Sequence, residues 1–344
     1  MNSTQFTQKY WPGTVIVLKN ILLSLSAREN SPHLCCSVKE KKQHFARGIL
    51  IALGGAILFS TKAIFVKLAY RDANVDPLTL LALRMIFSLP FYVIAAARSS
   101  NRTDNVKFTG EQWVYIAFIG CLGYYISSYL DFAGLQYVSA GIERLILFSY
   151  PTLVLLMTAF IFKQKIKPIQ WLALVITYFG LSIAFFGEVD FGLSKNPNFI
   201  FGSVLIFICA FTYAGYIVGS GRLIPQVGAI KFNSYAMSFA AAGVLIHFFF
   251  QQNGSLWHQP SLVYAYSLLM AVFATVLPSY LVVLAINKIG SGNVAIIGSA
   301  GPVSTIILAN IFLGEEITFW QLFGTAMILA GVLLIGKQRE EGLE

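Results

Sequence analysis

GIERLILFSYPTLVLLMTAFIFKQKI at residues 141–166 returns, much altered, as GNVAIIGSAGPVSTIILANIFLGEEI at residues 292–317. The two copies align without a gap from Gly141 and Gly292 to Gly180 and Gly331. Ile146 falls on Ile297, Pro151 on Pro302, Ile166 on Ile317 and Gln170 on Gln321. In each copy a proline sits inside an apolar run, a short polar break follows, and a second apolar run begins. The breaks differ in sign: Lys163, Lys165 and Lys167 in one, Glu315 and Glu316 in the other. Matching loops of opposite charge in a duplicated apolar unit point to two halves inserted in opposite orientations, an arrangement common among secondary transporters.

Composition agrees with a membrane setting. The chain is 57% hydrophobic and 11% charged, with a mean hydropathy of +0.71, where soluble domains carry roughly 25% charged residues. The formal net charge of +9 does not indicate nucleic acid, because the basic residues lie between apolar runs rather than along one stripe. Cys35, Cys36, Cys121 and Cys209 have no metal-site or disulfide spacing, and Cys121 and Cys209 read as small packing residues.

Ten runs are long enough to cross a bilayer as helices: 48–68, 77–97, 112–132, 143–162, 168–187, 200–221, 232–250, 261–286, 293–313 and 318–336. The expected fold is therefore an all-α integral membrane protein of two inverted five-helix repeats, 48–187 and 200–336. They are joined by a linker over residues 188–198. With the N-terminus inside, the inner connections hold fifteen Lys and Arg and the outer ones three. This predicts a multi-pass protein with both termini cytoplasmic, residues 1–47 and 337–344 forming the tails. The bacterial inner membrane is the expected location. Residues 1–38 stand apart from the repeat. They read as a disordered leader, an interfacial amphipathic stretch or a transit-like segment.

Several classes of function find no support in the residues. No stretch fits a phosphate-binding GxxxxGK[ST] loop, and His33, His44, His247 and His258 are scattered. No cofactor and no metal are expected. Of the histidines only His247 lies in a span, near the outer end of its helix.

Charges inside spans usually face a cavity or a partner. Counting along the helices puts Lys62, Arg84, Asp131, Glu143 and Arg144 in one layer of the outer half. Two readings stand. Lys62 and Arg84 line a substrate path and attract a carboxylate or phosphate, or they snorkel or pair with Asp131 and Glu143 to hold helices together. Asp131, Glu143 and Arg144 are candidates for proton coupling or for structural ion pairs. Tyr124, Ser128, Tyr150, Tyr213, Tyr216, Tyr280 and Ser299 are further candidates for the path, against interfacial belts and interhelical hydrogen bonds. Pro151 and Pro302 each free a carbonyl one turn back, so kinked helices acting as hinges, or simply packing well, are expected there.

Phe59-Ser-Thr-Lys-Ala-Ile-Phe-Val-Lys67, Leu83-Arg-Met85, Ile142-Glu-Arg-Leu-Ile-Leu-Phe-Ser-Tyr-Pro151 and Phe312-Leu-Gly-Glu-Glu-Ile, with Gly324 and Gly331, resemble EamA-type members of the drug/metabolite transporter superfamily. The resemblance covers residues 48 to 336. It implies a ten-helix, two-repeat transporter, not an enzyme, with a central cavity and export of small metabolites, amino acids or drugs. One departure is plain: Gly314-Glu315 of the second repeat is answered by Lys163-Gln164 in the first. A small-molecule substrate and membrane lipids are the expected partners, with a homodimer compatible and nucleic acid not. The alternatives are a non-transporting sensor or scaffold, or a membrane enzyme or lipid scramblase, on the same helical frame.

Overall fold

The computed structural model describes residues 32–101, 107–163, 168–251, 256–298 and 301–341. The chain divides into two compact units, residues 1–47 and 48–344. In the first, residues 32–47 are the opening turns of helix α1 (Pro32–Ala73). A part of the expected tail is thus helical, since nothing between Pro32 and Asn74 breaks the pattern. Residues 1–31 of the expected leader lie outside the described residues. The second unit holds the rest of α1 and every later helix.

Every regular element of that unit is helical among the described residues. α2 (Pro77–Ser100) starts sharply because the Asp76 carboxylate accepts from Leu78 N and Thr79 N, both at 3.0 Å, with Pro77 in the first turn. α3 (Gly110–Gly120) opens on a capping box between Thr109 and Gln112. It widens into a π-helical turn, Cys121–Ile126, and continues as α4 (Ser127–Gly134). α5 (Ala140–Leu147) and α6 (Tyr150–Phe162) follow with a break between them, and α7 (Pro168–Lys195) ends this half. The order then recurs: α8 (Phe199–Val227), α9 (Ala229–Gln251), α10 (Ser261–Ala271), a π-helical turn Val272–Val276, α11 (Leu277–Ile289), α12 (Ser291–Ile297), α13 (Gly301–Leu313) and α14 (Phe319–Glu341). The register of the two copies is close. α3 and α10, the two π-helical turns, α5 and α12, and α6 and α13 each begin 151 residues apart.

Among the described residues seven helices are long and apolar enough to cross a membrane: Phe45–Ala73, Pro77–Ser100, Gly110–Gly134, Ala140–Ile161, Phe199–Val227, Ala229–Gln251 and Ser261–Ile289. The other three expected runs contain shorter apolar helices, Trp171–Gly180, Gly301–Leu313 and Phe319–Gly331. At Pro151 the expected kink is a turn between two helices, while residues 299–300, just before Pro302, lie outside the described residues. Phe148 and Ser149 form a turn before Pro151, and α12 stops at Ile297, short of Pro302. A proline clashes with the carbonyl four residues back and has no N–H to give it. It fits best in the first turn of a new helix, which is where both lie.

Burial runs opposite to that of a soluble domain. Val114, Phe118, Phe201, Phe207, Phe211 and Phe160 face outward, Phe160 87% exposed, while Ser60, Lys62, Arg84, Asp131, Glu143 and Asn233 are buried. Aromatic rings on the outside and charge on the inside suit lipid as solvent. The last helices of the two halves, α7 and α14, lie along each other through the equivalent glycines Gly180 and Gly331. A Cβ on Gly180 would sit 2.6 Å from Gly324 O, and one on Gly331 2.9 Å from Ala173 O. Close approach of this kind is how helices associate in lipid. Gly180→Leu is expected to lower the stability of the purified protein by about 1–3 kcal/mol. Gly180→Leu with Gly331→Leu should cost less than the sum, because both wedge one interface. Thermal melting in detergent measures both.

Candidate functional site

The apolar runs that flank the two interruptions make α5, α6, α12 and α13 cross one another. α5 packs on α13 and α6 on α12. Side chains stitch the crossing together. The Arg144 Nε donates to Thr305 Oγ1 at 2.9 Å, and its terminal nitrogen donates to Phe59 O. The Tyr150 hydroxyl donates to Ala295 O at 3.0 Å, and Gly298 leaves room for that ring. The Ser60 hydroxyl lies 2.9 Å from Gly301 O, the first carbonyl of α13. Ala295 O, in the last turn of α12, is thus reached from the opposite half, as hydrocarbon requires.

Beside the crossing lies a cavity of about 80 Å³, lined in part by Lys62, Arg84, Ser128, Arg144, Tyr150 and Tyr213. Both π-helical turns reach it, through Gly123 and Tyr124 on one side and Ala274 and Thr275 on the other. A π-helical turn leaves carbonyls without their usual α-helical partner. The Thr275 hydroxyl takes one of them, Met270 O, at 2.9 Å.

Five ionisable groups gather here. Lys62 Nζ lies 2.7 Å from Asp131 Oδ2 and 3.8 Å from Glu143 Oε1, and Arg144 Nε lies 3.5 Å from Glu143 Oε2. Asp131 and Glu143 are both 0% exposed. Arg84, 2% exposed, is different. One terminal nitrogen donates to Ser128 Oγ at 2.9 Å, its guanidinium carbon stands 4.9 Å from the centre of the Phe132 ring, and its Nε has no hydrogen-bond partner among the described residues.

The remaining sequence candidates divide. Tyr124, Ser128, Tyr150 and Tyr213 line the cavity. Tyr216 and Tyr280 do not. The Tyr216 ring is buried edge-on against Tyr124 at 4.9 Å and packs on Phe232, and the Tyr280 hydroxyl sits 2.8 Å from that of Ser234. Ser299 lies outside the described residues. His247, expected at a helix end, is wedged between the Tyr125 and Tyr129 rings at 5.8 and 5.0 Å. Thr275, Thr305 and Glu315 were not singled out for the site by sequence. Glu315 caps α5 across the halves, its carboxylate oxygens accepting from Ala140 N at 3.1 Å and Gly141 N at 3.3 Å. The Gly-Glu pair after Leu313 was the one available signal for this.

A family model described as EamA-like transporter family matches residues 46–186 and again 200–337. The chain belongs to the EamA-like transporter family. An uncharacterized transporter of Bacillus subtilis (strain 168), YcbK, is 32% identical over 292 residues, which is 83% of this chain and 91% of that one. An uncharacterized transporter of Synechocystis, sll1319, is 23% identical over 319 residues, covering 85% and 94%. One crystal structure superposes with a TM-score of 0.65 at 18% identity, over 84% of this chain and 96% of its own. At that identity the likeness speaks for the fold alone. The EamA-like family is one of transporters, not enzymes, and this chain is accordingly a multi-pass membrane protein of transport.

The buried ion pair yields a direct test. Asp131→Asn leaves the Lys62 charge without its nearest partner and is expected to cost about 3–5 kcal/mol. Lys62→Met with Asp131→Leu should recover much of that loss. A double-mutant cycle on unfolding in mixed detergent and denaturant reads the coupling.

Proposed function

We propose that this protein is a secondary transporter that moves a small organic solute by alternating access, as an exporter. The supporting observation is the cavity at the point where the helices of one half that hold Pro151 cross their counterparts in the other. Discontinuous helices at a repeat interface are where transporters of this construction bind their cargo.

The finer reading is ten crossings in two inverted repeats, with both termini on the cytoplasmic side of a bacterial inner membrane. It rests on the opposite charge of the matching loops and on the excess of Lys and Arg in the inner connections. The equal offsets of the paired elements and the bacterial relatives support it. On this reading Lys62, Arg84, Tyr124, Ser128, Tyr150 and Tyr213 line the substrate path. The breaks before Pro151 and Pro302 are the hinges about which one half rocks on the other. Glu315, bound to the first turn of α5, fastens the outer end when the path is closed there. Asp131 and Glu143 are the coupling candidates, because a proton gained by either one changes what holds Lys62.

Counterflow in liposomes tests the proposal. Purified protein should exchange at least one labelled solute from a metabolite panel. Lys62→Ala and Arg84→Ala should each slow that exchange tenfold or more, the equivalent of about 1.4 kcal/mol of lost interaction. Robust counterflow unchanged in both variants removes these residues from the path, and no counterflow across the panel removes the transport reading.

A further inference from the structure

The charged residues around the cavity are sorted by sign. Three cations, Lys62, Arg84 and Arg144, line it, and no acidic side chain does among the described residues. Asp131 and Glu143 stand behind them with no exposure. Both carboxylates are spent on Lys62 and Arg144, at 2.7, 3.8 and 3.5 Å. Arg84 is left with a neutral hydroxyl and an aromatic face. Two carboxylates offset at most two of three cations. At least one positive charge therefore remains on a wall shielded from water, and a buried charge calls for a partner. A guanidinium has five N–H donors. One of Arg84's goes to Ser128, and its Nε is free of partners among the described residues.

The rest of the wall fixes what the anion is attached to. Phe59 and Tyr150 both stand edge-on to Tyr213, at 6.5 and 5.4 Å between ring centres, and all three line the cavity. The Tyr150 hydroxyl is already committed to Ala295 O, so that residue offers mainly its ring. Aromatic walls of this kind take flat or apolar groups.

We infer that the solute is an amphipathic organic anion, its carboxylate or phosphate held by Arg84 beside Ser128 and its apolar body laid against Phe59, Tyr150 and Tyr213. This rests on the cavity being the transport path. It goes beyond that reading by excluding zwitterions and cations as preferred cargo. An ammonium group entering the cavity would meet three cations and no carboxylate. It also assigns Lys62 to holding the acids in place rather than to binding the solute.

The test is isothermal titration of the full-length protein in detergent with four probes on one phenyl scaffold: 3-phenylpropionate, phenyl phosphate, 3-phenylpropanamide and phenylalanine. The two anions are expected to bind in the millimolar range or tighter, at least tenfold better than the amide and phenylalanine. Arg84→Gln should weaken anion binding tenfold or more. Arg84→Lys, which keeps the charge and loses the planar fork, should retain part of it. Arg98→Gln, an exposed cation outside the cavity, should leave binding as it was. Phenylalanine or the amide binding as well as 3-phenylpropionate overturns the inference. So does anion binding that survives Arg84→Gln and Arg84→Lys undiminished, or no binding of either anion. Anion binding without counterflow would overturn the transport reading alone. Counterflow of a neutral or cationic solute without anion binding would overturn the anion assignment alone.

Discussion

An ammonium group cannot rest in hydrocarbon without a counter-charge, and the meeting of Lys62 with Asp131 is the constraint on which the centre of this bundle depends. It ties α1 to α4 at a fixed register. Glu143 brings in α5, and Arg144 carries the link onward to Thr305 of α13. Four helices from both halves are thereby locked at one depth. Because the acids occupy the rear of this arrangement, the cations form the wall of the cavity.

The interrupted helices follow from the same economy of buried polar groups. A break in a membrane helix exposes carbonyls and N–H groups that lipid cannot satisfy. Here the segment around Pro302 lies against the other half, whose Ser60 and Tyr150 reach Gly301 O and Ala295 O, while Glu315 caps the first turn of α5 in return. The fold can therefore place bends at its centre, next to the cavity, without leaving backbone stranded. The π-helical turns add a second pair of local departures from α-geometry at the same level, each bringing small or hydroxyl-bearing residues to the cavity wall.

Much of this is legible in the chain itself. Counting turns from the helix ends is enough to bring Lys62, Arg84, Asp131, Glu143 and Arg144 into one layer, because helical rise is regular and apolar runs have clear ends. Family membership, likewise, is legible in the residues around Lys62, Arg84 and Pro151. What sequence does not supply is azimuth and partnership. Tyr216 and Tyr280 have the same chemistry as Tyr213 but turn toward neighbouring helices, a matter of how helices rotate against each other. The break before Pro151 is a turn in which Phe148 N and Ser149 N bond Arg144 O and Ile146 O, a geometry that the proline alone does not dictate. For the cap that Glu315 places on α5 the Gly-Glu pair is a signal, but its partner is not legible, because the two ends are far apart in the chain. Which cation lacks a counter-charge is settled only in three dimensions, since Lys62 and Arg84 look equivalent from spacing.

The two halves share a frame but not a chemistry. At the 151-residue offset, Asp131, Glu143 and Arg144 correspond to Val282, Val294 and Ala295, and overlaying the spans Phe45–Ala73 and Phe199–Val227 puts Lys62 opposite Tyr216. If the halves were identical and inverted, the two extreme conformations would be equivalent, and the solute would meet the same surface from either face. With the Lys62–Asp131–Glu143–Arg144 cluster confined to one copy, the two ends of the proposed path would differ in polarity, one closed by ion pairs and the other by apolar packing. The carrier should then saturate at different concentrations from its two faces and respond to salt on only one of them. Divergence after duplication would have given a structurally symmetric carrier an intrinsic kinetic polarity.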